Sequence, residues 1–187
     1  VMERVHAVRE YRLASKRAQT VKAAARPQHF GTEIIPRGNS LLIPEVSSER
    51  RQYIPIGFIG PEVLCSNKVR LIPNATLYHF GVLHSRIHNA WMRVVGVRLK
   101  SDYSYSGAIV YNNFVWPTVD STQTAEITAL AQGILDTRSQ HPKATMASFY
   151  DPATAFLYPD LVAAHKALDD AVELSLIHIS EPTRLRR

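Results

Sequence analysis

The 187-residue chain lacks features that define several whole classes of protein. A single cysteine rules out an internal disulfide framework and fits a reducing compartment such as the cytoplasm. No run of about 18 apolar residues is present, so we expect no membrane span. Apolar residues still make up 45% of the chain, which is enough to bury a core. The net charge of +6 is compatible with a polyanionic partner.

Catalytic motifs are missing as well. There is no glycine-rich phosphate loop, no G-x-S-x-G elbow and no CxxC pair. His84 and His88 have helical spacing, but a serine follows the first of them where a zinc protease has glutamate, so we expect one polar and one packed histidine and no metal. Cys65 has no motif partner and is expected to be a small buried residue. The adjacent Asp169 and Asp170 are expected on a solvated helix face, which leaves no active site within this chain.

Hydrophobic spacing predicts an α+β fold. We expect a small, irregular, mostly antiparallel sheet flanked by helices, followed by a short helical C-terminal domain. The predicted helices cover residues 3–24, 76–98, 124–136 and 160–173. Apolar runs interrupted by proline predict short strands at TEIIP, SLLIPEV, RQYIPIGFIG and KVRLIP, and GAIVYNNF predicts a further buried strand. Pro117 marks the predicted boundary between residues 1–117 and 118–173.

The two ends of the sequence indicate a fragment of a longer protein. The chain has no initiator methionine and starts inside a helical pattern, which indicates N-terminal truncation. The string LSLIHISEPTR looks like the translation of a sequencing adapter, so we expect residues 174–187 not to be native. That segment holds three arginines and one glutamate, and its removal lowers the net charge from +6 to +4.

Two pairs of polar residues are suited to the edges of DNA bases. Lys100 can donate to the acceptor-rich edge of guanine, and Asp102 can accept from the amino group of cytosine. Glu45 also suits the cytosine amine, while the amide of Asn67 can donate or accept. Because charges on exposed loops are usually just solvated, the residue types by themselves leave this interpretation open.

Six further side chains are candidates for contacts to the DNA backbone, since arginine and tyrosine bind phosphates that position a protein without specifying sequence. They are Arg50, Arg51, Arg93, Arg98, Tyr103 and Tyr105.

Four long strings, SSERRQYIPIGF, IPNATLYHFGVLHSRIHNAWMR, RLKSDYSYS and IVYNNFVWP, closely resemble one family. It is the MmeI-like, type IIL group of single-chain restriction–modification enzymes and their DNA methyltransferase relatives. The resemblance runs from about Arg4 to Glu173. It implies a DNA target-recognition domain over residues 1–117 and a C-terminal helical domain over residues 118–173.

The resemblance also implies a parent enzyme. Members carry an adenine methyltransferase domain with an NPPY-type motif and an S-adenosylmethionine site, and many add a nuclease, which would require Mg²⁺. None of these segments is in the chain, so the fragment is expected to bind and not to catalyse. Its implied partners are double-stranded DNA and the missing N-terminal methyltransferase domain of the same chain.

The resemblance carries base preferences to particular residues. The combination of Lys100 with Asp102 implies guanine on the read strand, and that of Glu45 with Asn67 implies cytosine. Ser104 departs from the family, since many relatives carry arginine there, which puts a contact by this position in doubt.

Two other functions stay open on the sequence. One is a stand-alone, sequence-tolerant nucleic-acid-binding protein, favoured by the basic first helix and by a loop in which Tyr103 and Tyr105 can stack on bases. The other is a structural domain whose charges all face solvent.

Overall fold

The computed structural model describes residues 1–30 and 36–177. They fall into two compact units, within Val1–Ile35 and Pro36–Arg187. The described α-helices are α1 Met2–Leu13, α2 Ala18–Lys22, α3 Leu77–His84, α4 Arg86–Val95, α5 Ser121–Ser139, α6 Met146–Tyr150 and α7 Pro159–Ile177. The described strands are β1 Ser40–Pro44, β2 Val46–Ser47, β3 Gly57–Ile59, β4 Val69–Pro73, β5 Val97–Leu99 and β6 Asp102–Ser104. The predicted α+β class is confirmed, while the predicted strand TEIIP lies largely outside the described residues.

The first unit does not hold the single helix predicted over residues 3–24. The helix ends after Leu13, and Arg17 has an extended backbone before α2 begins. The break lets the guanidinium of Arg12 donate to the carbonyls of Ala23 at 2.9 Å and Arg26 at 2.8 Å. The carbonyl of Ala23, at the start of a short 3₁₀ turn, also accepts from the N–H of Arg26 at 3.2 Å, and that of Arg26 from the N–H of His29 at 3.1 Å. Arg12 therefore adds a side-chain donor to both carbonyls.

The described strands of the second unit form two small antiparallel sheets. One has the order β3-β1-β4 and the other β2-β6-β5. Pro44 and Pro73 are the last residues of β1 and β4, as expected for a residue without a backbone donor. Leu41 and Ile43 point from the central strand β1 into the core and are fully buried.

The predicted helix over residues 76–98 is two helices, and Ser85 is the reason. Its hydroxyl donates to the carbonyl of Val82 at 2.8 Å and accepts from the backbone N–H of His88 at 3.4 Å. Ser85 therefore ends α3 and caps α4 with one side chain. No glycine or proline marks this break in the sequence.

The predicted buried strand GAIVYNNF is wrong. Residues Gly107–Tyr111 form one turn of π-helix. The hydroxyl of Ser106 accepts from the N–H of Ile109 at 3.3 Å and starts this turn. The indole Nε1 of Trp91 donates to the carbonyl of Val110 at 3.0 Å, which ties the turn to α4.

Helix α3 lies at the centre of the core. The ring of Phe80 lies 5.8 Å from that of Phe58 on β3, between ring centroids. On its other side, Gly81 packs so closely that a Cβ there would lie 3.0–3.3 Å from side chains of α5 and α7. The atoms concerned belong to Ile127, Ala131 and Leu168. One continuous apolar core therefore joins the sheets to the C-terminal helices.

The C-terminal helix buries the predicted face. The predicted inward positions Leu161, His165, Leu168 and Val172 are all buried. The helix continues to Ile177, past its predicted end at residue 173. The non-native origin of residues 174–187 stays a prediction, and residues 178–187 lie outside the described part of the chain. Within residues 1–30 and 36–177, no helix is long and apolar enough to cross a membrane.

Candidate DNA interface

The first predicted base-reading pair lies where the chain passes from one sheet to the other. Glu45 follows β1 directly, and its N–H donates to the carbonyl of Lys68 at 2.9 Å. Its own carbonyl accepts from the N–H of Tyr105 at 2.7 Å. Asn67 immediately precedes Lys68 and is exposed. The fold thus brings Glu45 and Asn67, which are 22 positions apart in the sequence, to neighbouring places at one strand end.

The carboxylate of Glu45 lies among cations. It is 3.5 Å from a guanidinium nitrogen of Arg70 and 3.9 Å from Nζ of Lys68. The Glu45 side chain retains 22% of its exposure, so it is held on one side and open on the other. This arrangement fixes the direction of an acceptor without fully removing it from solvent.

The second predicted pair lies on the hairpin that joins β5 to β6. Lys100 is exposed at the tip, with a φ of 59°. A left-handed backbone costs a non-glycine residue about 1–2 kcal/mol, so other contacts must hold this turn. Asp102 starts β6, is half-buried, and accepts from the N–H of Glu49 at 3.4 Å.

The strand register relates the two pairs to each other. Strand β2 pairs with β6 so that Ser47 faces Tyr103, and the bond from Tyr105 to Glu45 continues this ladder. Glu45 therefore lies opposite Tyr105, which is three residues after Asp102. Three residues correspond to about 10 Å along the strand at the usual rise. That distance is about three base-pair steps of DNA at 3.4 Å each.

The four arginines among the six backbone candidates divide into three groups. Arg50 and Arg51 lie on the turn after β2, where Arg50 is exposed and Arg51 half-buried. Arg93 donates to the backbone carbonyls of Arg51, at 3.1 Å, and Gln52, and so holds that turn from α4. The guanidinium of Arg98 donates to the side chain of Glu49 and to two other groups of the protein.

The two tyrosines have little surface to offer DNA. Tyr103 and Tyr105 are 8% and 3% exposed. The Tyr105 hydroxyl bonds to Nε2 of His88 at 3.2 Å. This placement gives no support to base stacking by the tyrosine-rich loop, which is one of the two features that favour the sequence-tolerant alternative.

Asp169 on α7 is a buried carboxylate. The solvated position predicted for Asp169 is wrong, because it is 2% exposed. Its Oδ2 accepts from the hydroxyl of Tyr53 at 2.7 Å and its Oδ1 from the N–H of Arg86 at 2.6 Å. Burial raises the pKa of Asp169 in spite of these bonds. The neighbouring Asp170 is exposed, as predicted, and pairs with Lys166.

The two helically spaced histidines are both buried, so the predicted polar role of one of them is wrong. Nδ1 of His88 bonds to the carbonyl of Leu83 at 2.8 Å, and because a carbonyl can only accept, Nδ1 carries the proton. Burial lowers the pKa of His88 to about 4, so Nε2 of the neutral ring accepts from Tyr105. In the described chain no three histidine, cysteine or acidic side chains form a metal site. Cys65 is partly exposed, contrary to the expected burial.

A third buried histidine, His165, belongs with His84 to a cluster around Arg138. The guanidinium donates to the hydroxyl of Tyr150 and, at 3.2 Å, lies against Nδ1 of His84. Burial, followed by the charge of Arg138, lowers the pKa of both His84 and His165, the latter to about 3. The Tyr150 hydroxyl lies 3.0 Å from Nε2 of His165. The side chains of this cluster belong to α3, α5, α6 and α7, and none of them is a predicted base-reading residue.

The arrangement described so far is that of an α+β domain with a hairpin of exposed polar side chains, backed by a helical layer. Comparisons with known proteins define it further. Residues 1–118 match the family described as MmeI, target recognition domain, and residues 119–181 match MmeI, C-terminal domain. The chain therefore belongs to the MmeI family and comprises its target recognition and C-terminal domains.

Two relatives agree with this assignment. DNA methyltransferase A of Bacillus subtilis (strain 168) is 36% identical over 173 residues, which are 92% of this chain and 19% of that protein. The structure of the type IIL restriction-modification enzyme MmeI in complex with DNA matches with a TM-score of 0.89 and 42% identity. That match covers 97% of this chain and 24% of the MmeI chain. The chain thus spans about a fifth to a quarter of these relatives.

Proposed function

We propose that this chain reads the sequence of double-stranded DNA for a site-specific adenine methyltransferase. The observation that carries the proposal is the match to MmeI, a structure solved in complex with DNA, at a TM-score of 0.89. In this chain the strand register sets Glu45 about 10 Å from Asp102 along the direction of β6, which is less than the width of a major groove of DNA, about 12 Å. The chain itself binds DNA and does not catalyse the methylation.

The chemistry of each pair supports a base preference. Lys100 donates to O6 and N7 of guanine, and Asp102 accepts from N4 of the paired cytosine, so together they address one G·C pair. Glu45 accepts from a cytosine amine, and the amide of Asn67 completes the second contact. We infer guanine on the read strand for Lys100 with Asp102, and cytosine for Glu45 with Asn67.

The phosphate contacts come from basic residues beside these pairs. Arg50 is exposed on the turn after β2, and Arg51 is adjacent to it. Arg93 lies against the same turn. Contacts of this kind set the register of the protein on DNA and make binding depend on salt.

The rest of the parent enzyme would supply the reaction. We infer an N-terminal methyltransferase domain in the same chain that uses S-adenosylmethionine, with Mg²⁺ needed if a nuclease is fused. The target adenine must leave the duplex to be methylated, and extrusion costs a few kcal/mol. Binding by the recognition domain would offset part of this cost. As a DNA-modifying protein, the parent would work in the bacterial cytoplasm.

A swap of charges at the hairpin tests the proposal. The 187-residue chain is bound to a pool of DNA duplexes with a randomised stretch, and the bound duplexes are sequenced. The double variant Lys100→Glu with Asp102→Arg should change the preferred base at one position and leave the others intact. Since one wrong base pair typically costs about 1–3 kcal/mol, the change in preference should be roughly 5- to 150-fold.

Helix α7 offers a matched control. Lys166 and Asp170 form an exposed ion pair four positions apart. The variant Lys166→Glu with Asp170→Arg makes the same two substitutions away from the hairpin and should leave the preference unchanged. If the unsubstituted chain binds all duplexes equally, it is a sequence-tolerant binder and the proposal is wrong. If it has a preference that the hairpin swap leaves unaltered, the assignment of Lys100 and Asp102 is wrong.

A further inference from the structure

Arg98 binds to several groups of its own protein around the β5–β6 hairpin. Its Nη1 donates to Oε2 of Glu49 at 3.1 Å and to the carbonyl of Ser101 at 2.8 Å. Its Nη2 donates to the hydroxyl of Tyr103 at 3.2 Å, and the guanidinium carbon lies 4.4 Å from the centre of that ring. Both terminal nitrogens of the Arg98 guanidinium therefore donate to groups of the same protein.

Glu49 completes a loop of contacts that closes on the base-reading pair. Its side chain accepts from Arg98, and its N–H donates to Oδ1 of Asp102 at 3.4 Å. Glu49 lies on the turn after β2, 53 positions from Asp102. The turn and the hairpin are thus joined at two points, one on each side of Lys100.

The backbone of Lys100 explains why such bracing matters. Its φ of 59° is left-handed, and residues with a side chain adopt this conformation reluctantly. The bond from Arg98 to the carbonyl of Ser101 closes the turn around Lys100. A turn that relaxes would redirect the side chains on both sides of it.

We propose that Glu49 and Arg98 are positioning residues, which set the geometry of Lys100 and Asp102 and thereby the base that they select. This inference rests on the proposed function. It replaces the sequence-based expectation that Arg98 binds a DNA phosphate. Arg98 acts through the hairpin, and Glu49 acts through both Arg98 and Asp102.

The two roles of Arg98 predict opposite results for two conservative variants. Lysine keeps the charge of arginine and can bind a phosphate, but it cannot reproduce a planar fork with several fixed donors. Under positioning, Arg98→Lys and Glu49→Gln both lower discrimination at the base read by Lys100 and Asp102, by about three- to tenfold, and leave other bases alone. Under phosphate contact, Arg98→Lys retains discrimination, and Glu49→Gln strengthens binding to all duplexes equally.

The experiment measures binding of the 187-residue chain to matched duplexes that differ at single positions, at several salt concentrations. We expect the slope of log K against log salt to stay constant for both variants. A uniform loss of affinity without loss of discrimination overturns the inference. So does a fall in the salt slope of Arg98→Gln by about 0.9, the value for one lost phosphate contact. Equal binding of all duplexes by the unsubstituted chain instead refutes the proposed function itself, before any variant is made.

Two controls separate positioning from general damage. The Arg98 and Glu49 side chains are 47% and 45% exposed, so their variants should shift the thermal midpoint by no more than about 2 °C. Asp170→Asn removes an exposed ion pair on α7 and should leave discrimination unchanged. If Asp170→Asn lowers discrimination as much as Glu49→Gln, the inference is wrong.

Discussion

Replacing Asp169 with alanine removes a buried carboxylate that joins three segments of the chain. Its two oxygens accept from the Tyr53 hydroxyl at 2.7 Å and from the N–H of Arg86, at the first residue of α4, at 2.6 Å. Asp169 itself is on α7. The substitution therefore leaves the buried hydroxyl of Tyr53 and the partly buried N–H of Arg86 without their acceptor.

The expected loss follows from these two bonds. A hydrogen bond to a charged group contributes about 1.5–3 kcal/mol, so two contribute about 3–6 kcal/mol. Burial of the carboxylate offsets part of this, and the raised pKa of Asp169 reflects that cost. We expect a net loss of about 2–4 kcal/mol in the free energy of unfolding, or about 5–15 °C in Tm.

The adjacent residue is the control for this prediction. Asp170→Ala removes an exposed carboxylate paired with Lys166 and should change stability by no more than about 0.5 kcal/mol. Both substitutions make the same change in intrinsic helix preference, so the difference between the variants isolates the buried contacts. Urea denaturation followed by circular dichroism measures both.

A double-mutant cycle with Tyr53→Phe sharpens the test. The two residues share a bond, so the loss in the double variant should be smaller than the sum of the single losses by about 1 kcal/mol or more. Equal midpoints for Asp169→Ala and Asp170→Ala, or strict additivity with Tyr53→Phe, would refute this account.

Two further outcomes follow from packing and from buried histidines. Gly81→Ala should destabilise by about 1–3 kcal/mol, because its Cβ would press on side chains of α5 and α7. Gly133→Ala, with open space at that Cβ, should stabilise by about 0.5–1 kcal/mol. Thermal unfolding of the two variants measures both changes, and an unchanged or raised Tm for Gly81→Ala would refute the packing argument. The free energy of unfolding should also fall as pH drops from about 6.5 to 5. The pKa of His84, His88 and His165 is lowered by burial, so the unfolded chain takes up protons that the folded chain does not, at a cost of roughly 1–2 kcal/mol per histidine. Urea titrations at pH 7, 6 and 5 measure this, and a flat profile would contradict neutral burial.

Local sequence determines much of the C-terminal part of the fold. The spacing of Leu161, His165, Leu168 and Val172 predicts the buried face of α7, because side chains three or four positions apart share one side of a helix. Asp120 likewise begins α5 through a reciprocal pair of bonds with Gln123. These features depend on neighbours within one or two turns, which a sequence pattern records.

Family resemblance supplies what periodicity does not. The strings around the turn after β2, the α3–α4 pair and the β5–β6 hairpin identify the MmeI family, which the comparisons confirm. The same resemblance assigns base-reading roles to Glu45, Asn67, Lys100 and Asp102, and these assignments stay predictions.

Tertiary structure decides which polar residues are buried and which are braced. Asp169 and Asp170 are alike in the sequence, but one is covered by Tyr53 and α4 while the other faces solvent. Arg98 resembles any exposed arginine until the fold brings Glu49 to it across 49 positions. Such contacts join segments that are distant in the chain and have no sequence period, so they exist only once the sheets and helices have packed.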